Sequence, residues 1–194
     1  MWKNKKEKLS VIAVIDTETN WENQVMSIGV VTAEENRLKP VDFAYYILTP
    51  EYLTEGMYSD RMDLVPPENT RICSREEAMG ELCNWLQSRG VREIFAYNAR
   101  FDWGHLTELH GFDWYDIMRI AAYRQHNDRI PQWEECCSTG RLKRHYGVEP
   151  ILQCLRGEPG YRETHYALLV ARDELQIMEL LGRPLFVYYQ EAKV

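Results

Sequence analysis

The sequence lacks several features that would settle its class at once. No run of about 18 apolar residues is present, which excludes a membrane-spanning helix from the reading. The first residues, Met1-Trp2-Lys3-Asn4-Lys5-Lys6-Glu7-Lys8, are basic, but the apolar stretch behind them is short and runs into Asp16. It has neither the apolar core nor the small-residue cleavage site of a secretory signal, so the expected location is cytoplasmic. The five cysteines are an odd number with no C-x-x-C pair and no Cys/His spacing suited to zinc, which argues for reduced structural thiols over a disulfide framework. There is no internal repeat and no low-complexity segment. An excess of positive charge is also missing. The net charge of −7 argues against a general nucleic-acid coat, yet it is compatible with a cluster of carboxylates that binds divalent cations where phosphate arrives.

What is present is a sizeable apolar fraction, 45% of 194 residues, enough for one buried core. Residues 9–15 (L-S-V-I-A-V-I) are nearly continuous in β-branched and apolar side chains and predict a central strand. Residues 25–33 and 43–48 predict two further strands, and the polar turns between them make an antiparallel meander the economical arrangement. Residues 51–73 carry Pro66-Pro67 and read as a loop with one short helical turn. Ser74-Arg75-Glu76-Glu77 is a capping box, followed by apolar residues at helical spacing as far as Gly90. Residues 93–97 (E-I-F-A-Y) form a fourth strand, parallel to the first because a helix intervenes. Helices are expected at 101–109, 114–126, 139–146 and 165–181. Pattern alone gives an α/β chain; the expected division is a basic tail at 1–8, a domain at 9–182 and a C-terminal tail at 183–194.

The acids are placed suggestively. Asp16 and Glu18 lie one residue apart, on one face of an extended chain, where the apolar strand ends. Asp102 follows a strand that ends in Asn98 and opens a helix with Phe101. If that strand neighbours the first, all three acids meet at the carboxyl edge of the sheet, where open α/β sheets form their sites. His165 precedes the long helix and is of the residue type that exchanges protons near neutral pH. Together Asp16, Glu18, Asp102 and His165 outline a site of hard oxygen donors for two Mg²⁺ or Mn²⁺ ions and a base for hydrolysing a phosphodiester. Thr17 and Thr19, with Asn98 and Phe101, are candidate substrate contacts.

The three blocks Val14-Ile15-Asp16-Thr17-Glu18-Thr19, Ala96-Tyr97-Asn98-Ala99-Arg100-Phe101-Asp102 and His165-Tyr166-Ala167-Leu168-Leu169-Val170-Ala171 resemble, in order and spacing, those of the DEDDh 3′–5′ exonucleases. This is the family of the proofreading subunit of bacterial replicative polymerases. The resemblance implies a ribonuclease-H-like fold, a mixed sheet of a three-strand meander plus a parallel strand flanked by helices. It also implies release of 5′-mononucleotides from the 3′ ends of single-stranded DNA or RNA, beside a polymerase or other nucleic-acid machinery. In it Asp16 bridges both metals, Glu18 serves the first, Asp102 supports the second and His165 is the base. Five residues after the histidine, where the family has a fourth metal-binding aspartate, stands Val170. Asp173, three residues on, leans toward that position and is the candidate substitute; Glu174 is longer but points further round the helix, and Glu163 approaches from the loop. The rival reading is a catalytically degenerate nucleic-acid-binding or assembly module. The basic stretch Arg141, Lys143, Arg144 and His145 and the aromatics Trp103, Trp114, Tyr115 and Trp133 are secondary candidates for contacts with nucleic acid.

Overall fold

The computed structural model describes residues 10–62 and 70–194. The basic segment 1–8 and the start of the first strand at Leu9 lie outside the described residues. Strand β1 (Val11–Thr19) is the centre of the sheet, because its side chains are buried on both faces from Val11 to Ile15. Antiparallel to it runs β2 (Val25–Glu34), and β3 (Pro40–Leu48) continues the meander. After helix α1 (Arg75–Arg89), β5 (Glu93–Ala96) returns parallel to β1. The expected capping box holds. The Ser74 hydroxyl accepts from the Glu77 amide and the Glu77 carboxylate accepts from the Ser74 amide, while Gly90 closes the helix at φ 77°.

Two edge strands were not read from the sequence. β4 (Thr70–Cys73) pairs parallel with β3, and β6 (Asp113–Asp116) pairs parallel with β5, giving the order β4-β3-β2-β1-β5-β6. The β6 strand replaces the first part of the helix expected at 114–126, of which only the single turn α3 (Met118–Ala121) is helical. The reason is a period of two. Trp114 packs with the α1 layer and Tyr115 with the opposite layer, as successive strand residues must.

The helix expected at 139–146 is also absent. That stretch has left-handed backbone at Gly140 (φ 88°) and His145 (φ 57°) and makes isolated bridges through Arg141 and Leu142 instead. The basic stretch is therefore not a helical face. A helix does form just beyond it, α4 (Val148–Arg156), with Val148, Ile151, Leu152 and Leu155 buried at a spacing that repeats every three to four residues.

One layer, α1, covers one face of the sheet. The other face is covered by α4, α5 (Ala167–Leu181) and α6 (Leu185–Glu191). The segment 183–194, read as a tail, is part of the domain. Tyr188 is fully buried, Ala192 accepts a backbone hydrogen bond from Asp116, and Val194 donates one to Trp114. All five cysteines are unpaired. No helix among the described residues is long and apolar enough to cross a membrane.

Candidate active site at the carboxyl edge of the central strands

The parallel pairing of β1 and β5, Ala13 opposite Ile94 and Val14 opposite Phe95, brings the carboxyl ends of both strands to one edge of the sheet. Asp16 and Glu18 occupy that edge on β1. Beyond β5 the chain turns sharply at Asn98, a non-glycine residue in the left-handed region (φ 60°). Asp116, at the end of β6, stabilises this turn by accepting from the Asn98 amide at 2.9 Å and the Met118 amide at 3.0 Å. The short helix α2 (Arg100–His105) then delivers Asp102 to the interior, 3% exposed. The Thr17 hydroxyl donates to Asp102 at 2.7 Å, both groups buried. Thr17 thus orients an acid, which accounts for its only side-chain hydroxyl.

The third piece of the site arrives on α5. Asp16 is paired with Gly29 across the β1–β2 ladder. A Cβ at residue 29 would lie 2.2 Å from the Ala167 carbonyl carbon and from the Leu168 amide nitrogen. Only glycine lets the first turn of α5 press its backbone onto β2 beside Asp16. His165, just ahead of α5, sits in the left-handed region (φ 52°). Its ring stacks on Tyr58 with centroids 3.7 Å apart, and its Nδ1 lies 3.7 Å from the Glu163 carboxylate.

The carboxylates burden one another. Burial pushes Asp16 well above the usual carboxylate range, and the charge of Glu174 adds most to that, followed by Asp102, Glu18 and Glu163. Burial, then Glu163 and Asp102, raise Glu18 to about 8. Asp102 rises to about 7 by burial, against the opposing hydrogen bond from Thr17. Glu163 rises to about 7 by burial and by the charge of Asp173. His165 moves the other way: burial and the Arg61 cation hold its pKa below the ordinary imidazole value. Neutral imidazole is thereby favoured beside a set of acids.

Val170 is 2% exposed and packs into the apolar cluster with Ile12, Val14 and Ala167. Asp173 is engaged elsewhere, its carboxylate held by Arg156 at 3.3 Å and by the Tyr161 hydroxyl. Glu174, the next residue, is 1% exposed and turned into the cluster. Its Oε2 and the Oδ2 of Asp16 are enclosed without any hydrogen-bond partner in the protein. Uncompensated carboxylate oxygens at such a depth are costly, and a hard divalent cation is the chemistry that suits them. Among the described residues, no three His, Cys, Asp or Glu side chains are gathered tightly enough to hold an ion as they stand. An ion must therefore be met by rotation of carboxylates, and those two oxygens have no hydrogen bonds to break.

Beside the acids lies a cleft of about 260 Å³ lined by Glu18, Thr19, Trp21, Met57, Tyr58 and Phe101 among others. Thr19 and Phe101 line it as well as Thr17; Asn98 does not, and it shapes the turn that carries Asp102. Of the other aromatics, Trp114 and Tyr115 are core residues, whereas Trp103 and Trp133 are exposed. Glu174, Asp116, Gly29 and Tyr58 are the site residues that pattern reading did not select. For Glu174 the available signal was an acid on the same helical face as Ala167, Ala171 and Met178, a burial-prone face that ordinarily excludes charge.

No protein-family model matches this sequence, and no curated protein matches it. Solved structures do match. Exonuclease X in complex with 5′-overhanging duplex DNA is 18% identical, with a TM-score of 0.54 over 93% of this chain and 97% of that one. The nuclease domain of 3′hExo, a DEDDh family member bound to rAMP, is 12% identical, with a TM-score of 0.59 over 89% of this chain and 92% of that one. The zinc-bound E. coli ExoI–ssDNA complex is 11% identical, with a TM-score of 0.61 over 93% of this chain; this chain spans only 42% of that one. At these identities the likeness is one of fold. The mixed six-stranded sheet with helices on both faces is the ribonuclease-H-like fold, in the form shared by DEDDh-type 3′-exonucleases.

Proposed function

We propose that this chain is a divalent-metal-dependent 3′–5′ exonuclease that removes 5′-mononucleotides from single-stranded or frayed 3′ ends of DNA or RNA. The observation that carries this reading is the convergence, at one sheet edge, of buried, under-compensated carboxylates with a half-buried histidine held in its neutral form. The shared fold supports it independently. In this reading Asp16, Glu18 and Asp102 hold Mg²⁺ or Mn²⁺. When bound, the ions supply charge stabilisation for the attacking and leaving oxygens at phosphorus.

The rest of the work falls to the side chains. Stacking on Tyr58 fixes the plane of the His165 ring, and Glu163 faces its Nδ1, leaving Nε2 to take a proton from the attacking water. The water oxygen bonds to phosphorus as the bond to the 3′ oxygen of the penultimate nucleotide breaks. The products are a nucleoside 5′-monophosphate and a strand one residue shorter. Trp21, Tyr58 and Phe101 offer aromatic faces in the cleft on which a terminal base can stack. Thr17 keeps Asp102 in place throughout.

The test is release of mononucleotides from 5′-labelled single-stranded DNA and RNA in Mg²⁺ and in Mn²⁺. The native chain is expected to shorten the strands from the 3′ end. Asp16→Ala is expected to abolish the reaction, and His165→Ala to slow it by roughly 10²–10⁴-fold. Binding of the strands with no cleavage in either metal would instead identify a degenerate nucleic-acid-binding module.

A further inference from the structure

We infer that Glu174 supplies the fourth metal-binding carboxylate that Val170 cannot, reaching the site from one helical turn further along α5. The inference rests on the metal-dependent reading above and goes beyond it by naming a ligand that the three sequence blocks do not contain.

Four observations carry it. First, Glu174 is 1% exposed, and its Oε2 has no hydrogen-bond partner in the protein. The Tyr97 backbone amide donates to the carboxyl, but a buried carboxyl oxygen left without a partner is rare and costly. Second, it faces the acids of the site: among charged groups its carboxylate acts most strongly on Asp16, and Asp102 acts most strongly on it. Third, the helical geometry permits the substitution. Residues four apart lie about 40° apart around the axis and about 6 Å along it. Side chains on a helix lean toward its N-terminus, here the end that Gly29 seats against β2 beside Asp16. A glutamate at 174 also has one methylene more than an aspartate, which extends its reach back toward the vacated position.

Fourth, the competing acids have other tasks. Asp173 is tied to Arg156 and Tyr161. Glu163 lies on the loop against the His165 ring and acts on Asp16 less than Glu174, Asp102 or Glu18 does. Val170 contributes what its side chain allows, an apolar contact in the cluster beneath Ala167. The exchange is therefore one of position: the acid moves from the first turn of the helix to the second, and its former place becomes core.

The experiment is calorimetric titration of Mn²⁺ into the full chain, with melting curves in chelator and in Mn²⁺. The native chain is compared with Glu174→Gln, Asp16→Asn, and Glu174→Gln combined with Val170→Asp. Glu174→Gln is expected to weaken Mn²⁺ binding at least tenfold, because even outer-shell losses commonly cost 10–100-fold. The double variant is expected to recover most of that loss. In chelator Glu174→Gln should melt no lower than the native chain, since glutamine keeps the size and shape of the side chain and has no charge to bury, while the rise in melting temperature on adding Mn²⁺ shrinks. Native-like Mn²⁺ affinity in Glu174→Gln, together with loss of binding in Asp16→Asn, overturns the inference and leaves the metal-dependent reading standing. A Glu174→Gln variant that melts well below the native chain in chelator and keeps its Mn²⁺ affinity identifies a purely structural acid and also overturns it. Absence of Mn²⁺ binding by the native chain overturns both.

Discussion

Asp173 and Glu174 are neighbours on one helix, and the molecule treats them in opposite ways. Asp173 lies on the flank of α5 that meets α4 and its following loop, where Arg156 and the Tyr161 hydroxyl both engage its carboxylate. Glu174 lies on the sheet-facing side, nearly inaccessible, with one oxygen unpartnered and other acids as its electrostatic neighbours. The same contrast holds more widely. Away from the site, acids are matched with protein cations: Glu108 with Arg75, Asp128 with Arg183, Asp113 with Lys193. Among the described residues, no arginine or lysine is paired with Asp16, Glu18 or Asp102 at the edge of β1 and β5. Where a fold can satisfy its carboxylates and does so at the periphery but not at one sheet edge, that edge is shaped for a cation from outside.

The largest expected effect breaks the comparison by moving the helix itself. Gly29→Ala would place a methyl group 2.2 Å from the Ala167 backbone. The first turn of α5 must lift, carrying His165 and Glu174 away from Asp16. Overpacking of this kind costs about 1–3 kcal/mol, and a fall in melting temperature of roughly 3–10 °C is expected with it. Mn²⁺ affinity should drop alongside. Unchanged melting and affinity would mean that the close approach of helix and sheet does not matter to the site.

A pH titration of stability sharpens the contrast. Glu18 at about 8, and Asp102 and Glu163 at about 7, all sit above the ordinary carboxylate range. Between roughly pH 4.5 and 8 the folded chain then binds more protons than the unfolded one, so stability falls as pH rises through that window. His165, with its pKa lowered, works in the opposite direction below about pH 6.5, but it is one group against several. In chelator the melting temperature is expected to fall by roughly 5 °C or more between pH 5 and pH 8.5. Glu18→Gln should flatten the slope. A melting temperature that climbs steadily through the window would contradict the electrostatic picture.

The smallest effect belongs to the satisfied neighbour. Asp173→Asn weakens the ion pair with Arg156 but keeps a side chain able to bond Tyr161. A loss of about 0.5–1.5 kcal/mol is expected, with Mn²⁺ affinity within a factor of two of native. A large loss of metal affinity would show that the two neighbours are not divided in the way described.

Much of the frame was legible beforehand. The apolar runs of β1 and β2 and the capped, periodic α1 and α5 are elements whose local pattern agrees with their tertiary place. β6 and α6 were not legible, because Trp114, Tyr115 and Tyr188 are aromatics whose burial depends on which layer covers them. The α4 helix, with its regular apolar spacing and glycines at both ends, was within reach of pattern reading, and Pro150 in its first turn is compatible with it. The site divides in the same way. Asp16, Glu18, Asp102 and His165 stand in sequence blocks with recognisable order, whereas Glu174 and Asp173 are adjacent acids on one amphipathic helix.

The meander of the first three strands, the acids at strand ends and the valine in place of an aspartate were legible in the sequence alone, since each follows from local residue type and spacing. The division of labour between Asp173 and Glu174 was decided only by the tertiary structure. It depends on how far α5 is rotated and how closely Gly29 lets it approach β2, and a rotation of about 100° per residue separates an ion-paired surface acid from an unpartnered buried one.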